Sequence, residues 1–294
     1  MSAELGVRWI DTHCHLDAPE FGERSDEVRL RARALGVSCC VIPAVSCDSF
    51  EAVRRLAHAH GDAYCLGIHP LYVAQARDNA LMVLAQALDQ YRDDPHLVAV
   101  GEIGLDFFVP ELCTEPLRSR QMTFFKAQLE LARRFDLPVV LHSRRAVDTV
   151  HACLRAVTPQ RGGWLGIAHA FSGSDQQAEM LCALGLKLGF GGAATFERAT
   201  RLRSLVRTRS LNDIVLETDA PDIAPHWLYV SAQDRAQGRQ PVPNSPAELP
   251  AIGAVMSELR GLSLPDMAYA TTSNALAALP RLGALMHSGP EKVH

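Results

Sequence analysis

Eight short strand-like runs, each followed by a longer stretch of helical spacing, constrain this chain more than any other feature. The runs are Val7–Ile10, Ser38–Val45, Ala63–Ile68, Leu97–Val100, Pro138–Leu141, Leu165–Ala168, Leu186–Gly191 and Ile214–Leu216. Between them the apolar spacing predicts helices over Glu23–Leu35, Asp48–His60, Asn79–Tyr91, Arg118–Phe135, Ala146–Val157, Asp175–Leu184 and Glu197–Arg209. Strands that alternate with helices build a parallel sheet, and eight such units close a (β/α)₈ TIM barrel, an α/β fold. A doubly wound open sheet is the alternative. No Gly-x-Gly-x-x-Gly follows the first strand, which weakens the dinucleotide-binding version of that sheet. One barrel domain over residues 1–282 accounts for the chain, with a frayed tail expected at 283–294. Ala247–Leu259 and Leu264–Leu279 are the closing helices, and the Pro-rich Ala220–Ser245 reads as a long functional loop across the barrel mouth.

Composition narrows the class of function. A chain of 294 residues with 48% apolar and 21% charged residues has enough material for a sizeable core. No apolar run approaches the roughly 20 residues that span a bilayer, and Met1–Trp9 lacks a signal-peptide stretch, so a cytoplasmic location is expected. The eight cysteines are scattered and read as reduced core residues. A net charge of −4 argues against a broad basic surface for nucleic acid, but not against a nucleic-acid substrate met at a cation site. Nothing points to a membrane or to a protein partner.

The chemistry-bearing residues sit at one kind of place. His13 and His15 follow the first strand, two apart, so an extended chain points both imidazoles the same way. Glu102 ends the fourth strand, His142 the fifth and His169 the sixth, while Asp219 follows the eighth. In a barrel all these strand ends converge on one rim, where active sites form. Each has an ordinary reading alone: His142 as a core histidine, Asp219 as a helix cap. Together, four imidazoles and two carboxylates suffice for two divalent cations (Mg, Zn or Mn) joined by a bridging carboxylate. Some two-metal barrel hydrolases bridge with a modified lysine from strand four, but Lys126, Lys187 and Lys292 end no predicted strand. Glu102 is therefore the bridge candidate, with His13, His15 and Asp219 on one ion and His142 and His169 on the other.

Five ordered motifs carry a resemblance: Asp11-Thr12-His13-Cys14-His15, Gly101-Glu102-Ile103-Gly104-Leu105-Asp106, Leu141-His142-Ser143-Arg144, His169-Ala170-Phe171-Ser172-Gly173 and Glu217-Thr218-Asp219-Ala220-Pro221. The chain resembles the TatD-like metal-dependent deoxyribonucleases of the amidohydrolase superfamily, from Asp11 through Asn274-Ala275. The resemblance implies a (β/α)₈ barrel, divalent metals and hydrolysis of nucleic-acid phosphodiesters, often from the 3′ end, with DNA or RNA as substrate. The sequence departs from the pattern in two places. Ala170 stands where many members have Cys, and Pro243 stands where many carry an Arg before the Asn-x-Pro of the last loop, here Asn244-Ser245-Pro246. Arg239 is a possible substitute. Members with a Ser-Arg-Arg run after the strand-five His are generally described only as hydrolases.

Coordination by divalent cations lowers the pKa of water from about 15.7 toward 7, and Asp219 is the expected general base. Arg144 is either a phosphate clamp or a salt-bridge partner within the rim, since guanidinium pairs bidentately with phosphate. His69, which ends the third strand, either touches substrate or holds a turn. Glu217 shares the facing of Asp219 and should support the ligands. The arginines at 198, 201, 203, 207 and 209 belong to an outer helix and read as a solvated face. Two rivals remain. One is an amide or ester hydrolase, because the same cations polarise a carbonyl. The other is a binding protein on an inherited barrel, though no ligand position is lost.

Overall fold

The computed structural model describes residues 7–157 and 162–287. These residues form strands and helices in the order β1 (Trp9–Asp11), α1 (Ser25–Ala34), β2 (Val37–Pro43), α2 (Phe50–His60), β3 (Ala63–Leu66), α3 (Ala80–Gln90), β4 (Leu97–Asp106) and α4 (Leu117–Phe135). The second half runs β5 (Val139–Arg144), α5 (Val147–Ala156), β6 (Gly166–Ala168), α6 (Asp175–Cys182), β7 (Leu186–Phe190), α7 (Thr200–Thr208) and β8 (Ile214–Leu216). Then come α8 (Ala232–Ala236), α9 (Leu249–Arg260), α10 (Leu264–Ala278) and α11 (Leu282–His287).

The strands pair in sequence order and every pairing is parallel. Closure is made just beyond β1 and β8. Thr12 N–H donates to Leu216 C=O at 3.1 Å, Asp219 N–H to His13 C=O at 2.9 Å, and His15 N–H to Ala220 C=O at 2.7 Å. The sheet is thus the (β/α)₈ barrel that the alternation predicts, not the open sheet.

Two apolar layers hold it. Small and branched side chains (among them Ile10, Cys39, Val41, Ala63, Ala99 and Val215) share one cluster with Ala275 and Ala278 of α10, Leu279 just after it and Leu282 of α11. Arg281 donates to Leu97 C=O at the start of β4, and Ser38 at the start of β2 lies 3.9 Å from Met286 Sδ. The C-terminal helices therefore close the floor of the barrel, at the end opposite the rim. A frayed tail was expected from 283, but α11 continues through His287, with Leu282 at its start buried in the floor. The rest of that tail, 288–294, lies outside the described residues. The larger apolar cluster fills the layer between the strands and the outer helices.

β4 is the longest strand, ten residues that are all buried. Its close approach to β5 requires glycine at one point. Gly104 has φ 154°, and a Cβ there would lie 1.9 Å from His142 C=O. The contact sets Glu102 and His142 side by side at the rim.

Candidate metal centre

Each residue expected at the rim is found there, and the other five gather around Glu102. Its carboxylate is 2% exposed and turns its two oxygens to different partners. Oε2 faces His13 Nε2 at 3.2 Å and His15 Nε2 at 3.6 Å. Oε1 faces His142 Nδ1 at 3.0 Å, His169 Nε2 at 3.1 Å and His69 Nε2 at 3.2 Å. Asp219 Oδ1 completes the first group, 3.5 Å from His13 Nε2 and 3.7 Å from His15 Nε2. His169 lies between the groups. Its ring stacks on His13 at 3.7 Å between centroids, and its Nδ1 is 4.0 Å from Asp219.

The donor set fits divalent cations. The Nε2 atoms of His13 and His15 point at one another from 3.2 Å, close to the roughly 3.3 Å that separates two nitrogens bound at about 2.0–2.1 Å in a tetrahedral site. Burial pushes both imidazoles down, His13 well below its ordinary range and His15 to about 4, which leaves their lone pairs free to coordinate. For Glu102 burial acts upward, yet the surrounding imidazoles prevail and hold its carboxyl well below the usual range. The buried imidazole nitrogens suit Zn, and the carboxylates admit Mn or Mg.

Residues behind the donors fix their orientation. His142 turns its other nitrogen, Nε2, to Asp106 Oδ2 at 3.1 Å. His169 turns Nδ1 toward Glu217 Oε1 at 3.4 Å, and that oxygen also accepts Ala170 N–H at 2.5 Å. Glu217 thus stands behind His169. Gly189 makes the room, since a Cβ there would lie 2.2 Å from Glu217 Oε2. His69 Nδ1 accepts Leu71 N–H at 3.1 Å, so the neutral ring carries its proton on Nε2 and donates to Glu102.

Sequence reasoning missed three supporting residues. Asp11 is fully buried; its Oδ2 accepts Thr218 Oγ1–H at 2.6 Å and its Oδ1 accepts the N–H groups of Thr218 and His13. It ties the end of β1 to the segment carrying Asp219, and burial pushes its carboxyl up to about 7. Asp106 shares the facing of Glu102, four residues back in the same strand, a period-two signal open to reading. Asn244, also fully buried, donates from Nδ2 to the carbonyls of Thr218 and Asp222, both at 2.8 Å. Asn244→Ala should leave those carbonyls without that donor and cost about 1–3 kcal/mol. Denaturant titration would measure the loss, and an unchanged midpoint would show that the clip is dispensable.

The site opens into a cavity of about 770 Å³ lined by His15, His69, Glu102, His142, His169 and Asp219, with Arg144 at its edge. Of the long loop after β8, Pro221, Asp222 and Ile223 line the cavity. Ser231 caps α8 farther along, and Arg239 is exposed and absent from the lining. Among the residues of α7 and its flanks, Arg209 pairs with Glu179, whereas Arg201 and Arg203 donate to the carbonyls of Ser172 and Ala194.

A family model described as TatD related DNase matches residues 10–280. The chain belongs to this family. The metal-dependent hydrolase YjjV of Escherichia coli K12, itself uncharacterized, is 38% identical over 268 residues, 91% of this chain and 96% of YjjV. The crystal structure of YjjV superposes with a TM-score of 0.82, covering 93% of this chain and 98% of that one at 37% identity. Human deoxyribonuclease TATDN3 is 28% identical over 291 residues, 96% of this chain and 98% of its own. As a TatD-family protein the chain is a metal-dependent hydrolase acting on ester bonds. Among the described residues no helix is long and apolar enough to cross a membrane.

Proposed function

We propose that this TatD-family protein hydrolyses the phosphodiester bonds of DNA or RNA, working from the 3′ end, with two divalent cations bridged by Glu102. The observation that carries the two-cation reading is the division of Glu102 between two donor groups, one at each oxygen. His13, His15 and Asp219 would hold one ion, and His142 and His169 the other. When bound, the cations would acidify water and neutralise charge growing on the phosphate. The amino-acid residues do the rest. Asp219 accepts the proton of the attacking water and can return it to the leaving alcohol. His69 donates to Glu102 and fixes its plane. Asp106 and Glu217 hold the coordinating nitrogens of His142 and His169 in register.

The names borne by the family model and by TATDN3 support a nucleic-acid substrate, and so does the rim. Arg144 is exposed at the cavity edge, and among the described residues no carboxylate pairs with its guanidinium. Its guanidinium would take a phosphate in two parallel hydrogen bonds. Arg144→Ala should raise KM for an oligonucleotide about tenfold, as loss of a charged hydrogen bond does, with little change in melting temperature. Calorimetry beside steady-state kinetics checks both; a large fall in melting temperature with unchanged kinetics would make the residue structural.

A cavity of about 770 Å³ at the rim has room for a strand end, which supports end-directed action. The deciding experiment measures turnover of single-stranded DNA, RNA and an acyl ester, each with added metal and with chelator. Metal-dependent release of nucleotides from the 3′ end is expected. Turnover of the acyl ester alone would replace this reading with carbonyl hydrolysis.

A further inference from the structure

The β4–β5 edge of the rim carries a second arginine that the hydrolytic site does not use. Asp106, at the end of β4, accepts the N–H groups of Phe108 at 2.8 Å and Val109 at 3.0 Å through Oδ1. This turn fixes the Phe108 backbone relative to His142, which faces the other oxygen of the same carboxylate. Phe107 N–H donates to Arg144 C=O at 2.8 Å, which extends the β4–β5 ladder past Asp106. Phe108 is thereby anchored through its backbone, yet it remains 43% exposed. The exposed ring is thus carried on a fixed stretch of backbone at the rim.

Its ring has two partners. The Arg144 guanidinium carbon lies 3.6 Å from the ring centroid and that of Arg145 lies 4.7 Å away. Both arginines are exposed, and among the described residues neither meets a carboxylate. Arg145 takes a left-handed φ of 55°, which non-glycine residues avoid, and in that conformation its side chain shares the ring with its neighbour. Two like charges thus converge on one aromatic ring, each drawn to it by cation–π attraction. A polyanion laid across the pair would supply the missing counter-charge.

We propose that Phe108 is a positioning residue and that it holds Arg144 and Arg145 as a paired grip on adjacent phosphates of a polynucleotide strand. Arg144, which lines the cavity, takes the phosphate at the reacting centre. Arg145 takes the next phosphate along the strand. The enzyme would then favour oligonucleotides over diesters that carry a single phosphate. The inference rests on the phosphodiester reading above and adds to it a requirement for a flanking phosphate.

The test uses full-length protein and a labelled single-stranded oligonucleotide, with anisotropy read in chelator across a range of salt. Arg145→Ala should weaken binding about tenfold. It should also make the plot of log affinity against log salt shallower by about 0.7, the increment for one phosphate contact on a single strand. Phe108→Leu keeps both arginines and should show a similar loss, which Phe108→Tyr should rescue. With metal restored, Arg145→Ala should lower kcat/KM more for the oligonucleotide than for bis(4-nitrophenyl) phosphate. Wild-type affinity and salt slope in both Arg145→Ala and Phe108→Leu would overturn the grip while leaving oligonucleotide cleavage by the wild type intact. A wild type that neither binds nor cleaves the oligonucleotide would overturn the phosphodiester reading, and the grip with it.

Discussion

Glu102→Ala should empty both halves of the metal site together. The carboxylate is 2% exposed, and its oxygens face two imidazoles on one side and three on the other. Under the two-cation proposal its removal would take away a donor to each ion and leave the surrounding nitrogens without the carboxylate they share. Outer residues around a metal already cost about 10–100-fold in affinity or activity when changed, so the loss for a shared ligand should exceed about 100-fold. His142→Ala is the control. Its ring meets Glu102 Oε1 and Asp106, away from Asp219 and His15, so the variant should keep the ion held by His13, His15 and Asp219. His169 is a poorer control, because its ring stacks on His13 and approaches Asp219. Metal per chain, measured after preparation under a fixed metal supply, separates the variants. Two ions per chain in Glu102→Ala would remove the bridge.

The site was legible in the sequence to the extent that its chemistry follows strand ends. His13, Glu102, His142 and His169 each stop or extend an apolar run, and a barrel gathers such positions without further information. Asp106 could have been read the same way, since it repeats the facing of Glu102. Asp11 and Asn244 could not. Asp11 acts on Thr218, 207 residues away, and Asn244 acts on carbonyls made accessible only by the turn after β8. No local period signals a side chain whose partner is backbone elsewhere in the fold.

Element boundaries slipped for similar reasons. The predicted helix starts at Asp48 and Ala247 are 3₁₀ turns, Cys47–Ser49 and Pro246–Glu248, which share the helical spacing before the helix proper begins. Within the long loop, Ser231-x-x-Asp234 is a capping box that starts α8, a signal hidden by the surrounding prolines. The last helix falls within the expected tail, since nothing adjacent in the chain partners its apolar residues. Its partner is the barrel floor, which exists only once the sheet has closed.

Asp219→Asn should keep the fold and much of the metal and still lose roughly 100-fold or more in kcat, the effect typical of removing a general base. Both jobs proposed for Asp219, ligand and base, are compatible with its geometry. Its N–H is tied to His13 C=O, and φ 55° turns the residue out of the strand direction, a conformation that aspartate tolerates better than most side chains. Its Oδ1 lies 3.5 Å from His13 Nε2 and 3.7 Å from His15 Nε2, while the residue lines the open cavity from which water arrives. Burial, together with the nearby Glu102, Glu217 and Asp222 charges and against the pull of His169, pushes its carboxyl up to about 8 without metal. A cation beside it favours the ionised form and moves that value down.

A base works only when ionised, so wild-type kcat/KM should fall as pH drops through the value that Asp219 has in the loaded enzyme. The amide keeps the shape and one coordinating oxygen but has no proton-accepting carboxylate, so the acidic limb should change in the variant. Lower charge at the metal also slows the reaction, and the rate alone therefore does not isolate the base. The comparison must be made at matched metal occupancy, with folding checked by thermal melting. Near wild-type kcat with the same acidic limb, in metal-matched Asp219→Asn, would give the proton to another group, and Asp219 would be left as a ligand alone.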